Sequence, residues 1–226
     1  MSLPLITPYR LDPGERWKNR TSWTLDPRRA MLLVHDMQNH FVDAFDGGPD
    51  AQISLAVEEI ASIRAACAEA GVPAIYTAQP PSQDPADRQL LTEFWGPGLD
   101  DERAAAIIDR LAPTERDIVL TKWRYSAFFR SDLEHRMRNH GRDQLIITGV
   151  YSHIGCMTTA LAAFMLGFQV FFVADAQADF TEEDHRMALD YVASRCGQTC
   201  LSADVKADLA RGAAVGAGAA GGVLTA

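Results

Sequence analysis

Residues 30–36, "AMLLVHD", constrain the fold of this chain more than any other stretch. The run is apolar without alternation and ends in a histidine and a carboxylate. A strand with one wet face alternates; this one predicts a strand covered on both faces, the habit of parallel sheets layered between helices. The pattern then recurs. "QISLAVEEIASIRAACAEAG" places Ile53, Val57, Ile60, Ile63 and Cys67 at helical spacing, with Gly71 as a stop. "VPAIYTAQ" (72–79) is the next strand. Residues 80–100, rich in Pro, Gly and Asp, predict a long loop with one helical turn, and "AAAIIDRLA" a short helix. "DIVLTKW" is a strand, "SDLEHRMRNHG" a helix from Ser131 to Gly141, "DQLIITGV" a strand, 155–167 a helix and "QVFFVADA" a strand. "TEEDHRMALDYVASRC" is a helix that Thr181 and Asp184 open like a capping box; a short strand near 198–202 and a short helix follow. Such alternation predicts an α/β fold: a three-layer α/β/α sandwich with a mostly parallel sheet, one domain over 1–210. The Gly/Ala-rich tail, 211–226, reads as a flexible extension.

Parallel sheets bind ligands beyond the carboxyl ends of their strands. The polar residues expected there are His35-Asp36, Thr77 to Gln79, Thr121-Lys122, and Gly149 leading into Tyr151-Ser152-His153. Asp36 and Lys122 each follow an apolar run, where a lone charge is costly. They form either a structural ion pair or an acid–base carboxylate oriented by a lysine. His35 and His153 read as hydrogen-bonded packing residues. The other histidines (His40, His135, His140, His185) lack metal-ligand spacing, so neither a metal nor a cofactor is expected. Taken alone, Arg88 reads as a solvated loop arginine and Trp95 as a loop anchor. Trp123, Tyr125, Phe128 and Phe129 read mostly as packing.

The charge balance narrows the partners. Lys+Arg 21 against Asp+Glu 30 leaves a net charge of -9, which argues against nucleic acid and against an anionic membrane surface. No stretch has the apolar length of a spanning helix, and the N-terminus lacks a signal-peptide pattern. Cys67, Cys156, Cys196 and Cys200 fit neither a zinc ribbon nor CxxC spacing, which predicts reduced thiols and a cytoplasmic location.

"GVYSHIGCMTT" (149–159) runs from a strand through a small-residue turn into a helix, an approach suited to a cysteine nucleophile, with Gly155 and Cys156 side by side. Here the chain becomes recognisable. "LLVHDMQNHF", "YTAQP", "FWGPG", "LTKWRYSAFF", "GVYSHIGCMTTA" and "VADAQADFTEEDHRMALDYVA" together resemble the isochorismatase family, in order, over roughly residues 4–205. The wider superfamily contains cysteine amidases with an Asp–Lys–Cys triad, whose nucleophile opens a Cys-Val-x-x-Thr pattern. Laid on this chain, the pattern puts Gly155 at the nucleophile's place, Cys156 at the Val and Thr159 at the Thr. Cys156 should then face packing.

The resemblance therefore implies the ether-cleaving branch, with Asp36, Lys122 and Gly155 as the catalytic set. It implies that Gln79, Arg88, Lys122, Tyr151 and the Gly155 backbone hold a small dianionic, chorismate-derived substrate, walled by Phe41, Trp95 and Tyr125. The implied reaction is hydrolysis of the enolpyruvyl ether of isochorismate to 2,3-dihydro-2,3-dihydroxybenzoate and pyruvate. Asp36 acts as general acid, and no covalent intermediate forms. Lys122 favours the ionised carboxylate, the wrong state for a donor; the substrate's own carboxylates and closure of the site oppose that. The alternative is the same reaction on 2-amino-2-deoxyisochorismate. A cysteine amidase using Cys156 and a non-catalytic binding subunit are lesser rivals. The resemblance also implies a homodimer and a stand-alone hydrolase, with any aryl carrier protein a separate partner.

Overall fold

The computed structural model describes residues 3–220 apart from Pro13, and from 213 onward the backbone alone. Its centre is a 6-stranded, wholly parallel sheet: β1 (Ala30–His35), β2 (Ala74–Ala78), β3 (Ile118–Thr121), β4 (Gln144–Gly149), β5 (Gln169–Gln177) and β6 (Gln198–Cys200), in the order β3-β2-β1-β4-β5-β6. The principal helices are α1 (Gln52–Glu69), α2 (Leu133–Asn139), α3 (Met157–Met165), α4 (Glu182–Arg195) and α5 (Ser202–Ala220).

The unbroken apolar run of β1 has the cause expected of it. Leu32 and Val34 point into one core, with Ile60 and Ile63 of α1 and Val205 and Leu209 of α5. Met31 and Leu33 point into the other, with Leu133 and Met137 of α2, Ala160 and Ala163 of α3 and Leu189 of α4. Every residue of β1 is buried, because period-2 alternation sends successive side chains to two helical layers rather than to a layer and water.

Three segments differ from expectation. Residues 104–112 do not form one helix: a turn at Glu102–Ala105 and a 3₁₀ turn at Asp109–Leu111 flank Ile107, which bridges Gln38 antiparallel. Buried Gln38 donates to Ala105 O at 2.6 Å, and Asn39 N donates to Ala106 O at 2.9 Å, so tertiary bonds take the carbonyls a helix would use. The 80–100 loop carries two helical turns, Pro85–Arg88 and Leu91–Trp95. The last helix is longer than read: α5 is 19 residues and includes 211–220, where a flexible tail was expected, while 221–226 lie outside the described residues. Its alanines offset its glycines in helix propensity. Gly212 also seats the helix on Pro27, whose Cδ would lie 2.4 Å from any Cβ there.

The chain leaves β1 toward β2 and β3 on one side, and later fills β4, β5 and β6 on the other. The switch in direction lies between β1 and β4, the place where such sheets open a crevice. An N-terminal arm crosses that end: Ile6 bridges Phe45, and Leu3 reaches the crevice wall. Among the described residues no helix is long and apolar enough to cross a membrane.

Candidate active site

Register brings the strand ends together. His35 pairs with Thr77 of β2 on one side and with Gly149 of β4 on the other, so Asp36 emerges between those two strands. Asp36 has φ 51°, the left-handed region that costs a non-glycine residue about a kcal/mol or more. The strained turn aims its carboxylate across the strand tips. Thr77 donates its hydroxyl to Asp36 Oδ1 at 2.6 Å, and Lys122 Nζ donates to Oδ2 at 2.7 Å. Both ions are buried, with side-chain exposures of 3% for Lys122 and 8% for Asp36. Lys122 itself is fixed by its backbone N–H, which donates to Ala78 O at 2.8 Å.

A cavity opens over this pair. Asp36, Lys122, Gly155, Phe41, Gln79, Arg88, Trp95, Tyr125 and Tyr151 all line it, so the set implied by the resemblance meets at one place; Thr77, Thr121, Gly149, Ser152 and His153, expected round the same crevice, do not line it. Cys156 does not line it; it is fully buried in the α2–α3–α4 core, and burial pushes its thiol well above the usual range. A neutral, inaccessible thiol is a poor nucleophile. Gly155 stands at the cavity wall instead, its carbonyl accepting from Thr159 Oγ1 at 2.7 Å.

The polar lining is cationic. Arg88 is 4% exposed, yet its partners are neutral oxygens: Gly96 O at 2.7 Å, Gln83 Oε1 at 3.0 Å and Gln79 Oε1 at 3.3 Å. Burial, and then the like charge of Arg124, push its pKa down. Arg124 also lines the cavity, and it too bonds only neutral oxygens, among them Gln89 Oε1 at 2.7 Å and Asp87 O at 2.9 Å. Lys122, Arg88 and Arg124 thus face Asp36 alone, and the lining histidines add no charge near neutral pH. Burial pushes His35 down to about 4 and lowers His40. The site therefore has an excess of two positive charges, which an apolar or cationic ligand would leave uncompensated.

Aromatic rings form the remaining wall. Phe180 stacks on Tyr151 at 4.3 Å and on Trp95 at 6.1 Å, and Trp95 Nε1 donates to Tyr125 Oη at 2.8 Å. Tyr151 presents its ring: its hydroxyl proton is given to Phe41 O at 3.0 Å. His153 packs as expected, its Nδ1 2.6 Å from Asp179 Oδ1.

Sequence reasoning passed over Gln38, Arg124 and Phe180 as site residues, and took His35 for a packing residue although it lines the cavity. Thr77, which its strand-tip position places near the crevice, acts through its bond to Asp36. Gln38, which donates to Gln79 O and accepts from Gln79 N, both at 2.8 Å, left no such signal. Among the described residues no group of three or more His, Cys, Asp or Glu could hold a metal ion.

Known proteins are similar to this chain in sequence and fold. The isochorismatase domain family model matches residues 30–204. An isochorismatase of Bacillus subtilis (strain 168) is 52% identical over 204 residues, 89% of this chain and 65% of that protein. The phenazine biosynthesis protein PhzD1 of Pseudomonas aeruginosa is 46% identical over 205 residues, 90% of this chain and 98% of that protein. Among solved structures, an isochorismatase family protein from Burkholderia thailandensis superimposes with a TM-score of 0.74 at 28% identity, covering 83% of this chain and 98% of that one. The chain thus spans slightly less than two thirds of the Bacillus relative and almost the whole of the Pseudomonas one.

Proposed function

This chain belongs to the isochorismatase family, and from that premise we propose that it hydrolyses the enolpyruvyl ether of isochorismate, releasing pyruvate and 2,3-dihydro-2,3-dihydroxybenzoate. The observation that carries the reading is a buried carboxyl, held by Lys122 and Thr77, opposite a glycine where a nucleophile would stand. Vinyl ethers resist nucleophiles but yield to protonation. Asp36, protonated, gives its proton to the terminal alkene carbon, and the ether oxygen shares the resulting positive charge as an oxocarbenium ion. Water adds to the carbon bearing that oxygen and returns a proton to the Asp36 carboxylate. The hemiketal hydroxyl then loses its proton as the carbon–oxygen bond to the ring substituent breaks; that oxygen takes up a proton and leaves as a hydroxyl, and the new carbonyl is that of pyruvate. No step needs a covalent bond to the protein, and Lys122 keeps Asp36 in line while its charge faces a substrate carboxylate.

The excess of two positive charges suits a dianion, with Arg88 taking one carboxylate through its free Nη2. We assign the hydrolase unit to residues 1–210. The test is pyruvate release by the purified protein from isochorismate and from 2-amino-2-deoxyisochorismate in parallel. Turnover of isochorismate is the expected result; preference for the amino compound would shift the assignment to phenazine-type chemistry, as the Pseudomonas relative's name suggests for that protein. Asp36→Asn should lower kcat by about 10²–10⁴ with little change in KM. Near-normal release by that variant removes the general acid.

A further inference from the structure

The two glycines of "GVYSHIG" lie six positions apart, and both answer to one residue. At Gly149, φ is 108° and a Cβ would sit 2.1 Å from the carbonyl oxygen of His35. At Gly155, a Cβ would sit 2.1 Å from Cε1 of the His35 ring, 2.8 Å from Nε2 and 3.1 Å from Nδ1. Backbone and imidazole of the same histidine thus fill the space that side chains at 149 and 155 would need. The ring cannot step aside cheaply. It is fully buried, Nδ1 lies 2.8 Å from Val150 O, and Nε2 lies 3.3 Å from Tyr125 O. The neutral ring gives its one N–H to the nearer carbonyl. The ring also borders the acid, with Nδ1 3.7 Å from Asp36 Oδ2.

We propose that His35, more than the absence of a thiol, commits this site to proton-transfer chemistry: its imidazole occupies the volume of a nucleophile's side chain at 155 and buttresses Asp36, so His35 and Gly155 form one specificity-determining pair. The claim deepens the ether-hydrolase reading and rests on it for the role of Asp36, but the steric pairing stands apart from that reading. A cysteine placed at 155 gains no reactive position while the imidazole remains. Shrinking residue 35 opens that position beside Lys122, whose ammonium would favour a thiolate. His35 is a positioning residue; it transfers no proton in the reaction.

The experiment is a double-mutant cycle on the full chain with Gly155→Ala, His35→Ala and the pair, read first as Tm. Gly155→Ala alone should lower Tm by roughly 5–10 °C, the effect of overpacking a filled site in a chain of this size. The same change in the His35→Ala background should cost less than half as much. Equal losses in both backgrounds overturn the steric pairing, whatever the substrate proves to be. The second readout is iodoacetamide labelling of the introduced thiol in Gly155→Cys and in His35→Ala/Gly155→Cys, mapped by mass spectrometry. The four native cysteines are all buried, so background is low. Labelling at least tenfold faster in the double variant is expected; equal labelling contradicts the proposal. Finally, His35→Ala should lower kcat for pyruvate release at least about fivefold with KM within about twofold. Unchanged kcat removes the buttress and leaves only the steric pairing.

Discussion

Arg88→Met tests the electrostatics of the cavity most directly. The guanidinium is buried with no carboxylate among its bonds: Nε is taken by Gly96 O, Nη1 is shared between Gln79 and Gln83, and Nη2 has no partner among the described residues. That free nitrogen, with its two N–H groups, can offer a substrate carboxylate one or two charge-assisted hydrogen bonds. At about 1.5–3 kcal/mol each, a loss of roughly 2–4 kcal/mol is expected. At about 1.36 kcal/mol per decade this is a rise of about 30- to 1000-fold in KM. Because a carboxylate remote from the alkene is held equally in the ground and transition states, kcat should stay within about threefold. Methionine keeps much of the volume and removes the charge. The assay is steady-state pyruvate release over a wide substrate range, with circular dichroism to confirm folding. Gly98→Ala provides an independent arm: a Cβ there would lie 2.8 Å from Arg88 Nη1, at φ 96°, and displaces the guanidinium without deleting it. It should raise KM in the same direction. If Arg88→Met folds and KM stays put while kcat collapses, the arginine acts on the transition state, and the account of it as a carboxylate receptor is wrong.

Further expectations concern the second arginine, the thiols and pH. Arg124→Gln should also raise KM, by about tenfold, because it removes one of the two excess charges while glutamine can still reach part of the 87–89 turn; an unchanged KM would show that Arg124 only ties down the loop. Iodoacetamide should leave pyruvate release intact, since Cys156 is buried and held neutral; stoichiometric inactivation would revive thiol chemistry. Folding should weaken as pH falls from 6.5 toward 4: His35 is held down to about 4 by burial, so the unfolded chain takes up a proton that the native one refuses, costing roughly 3 kcal/mol across that window. Imidazole NMR checks this, with His35 expected neutral at about pH 5.5. His153 acts in the opposite sense. Burial works against its charge, but Asp179 prevails and raises its pKa, so its contribution is full below 6.5 and fades as pH climbs through the raised value. His153→Gln should therefore lower Tm more at about pH 6 than at about pH 9; a difference independent of pH would refute the ion pair.

The sheet was legible because β1 and β4 are apolar on both faces, and only a layered parallel architecture provides two dry sides. The site was legible where strand tips carry polar residues, since topology alone gathers such tips. What escaped was set by contacts between distant segments. Gln38 reshapes 102–111 through side-chain bonds that no local pattern encodes. Phe180 follows the buried Asp179 and reads as an ordinary loop aromatic until it is seen stacked between Tyr151 and Trp95. Arg124 differs from any solvated arginine only in having neutral partners. The meeting of the His35 ring with Gly155 joins positions far apart in the chain, and a glycine in a turn gives no hint of which group has claimed its space.

The N-terminal arm has a practical corollary. Leu3 forms part of the wall of the pocket, and the strap it begins is stitched down where Ile6 donates to Ala44 O at 2.8 Å and accepts from Asp46 N at 2.9 Å. A polyhistidine purification tag spliced to this arm is therefore joined, through a few residues, to the wall of the pocket. Tag-free protein is the proper reference for every rate.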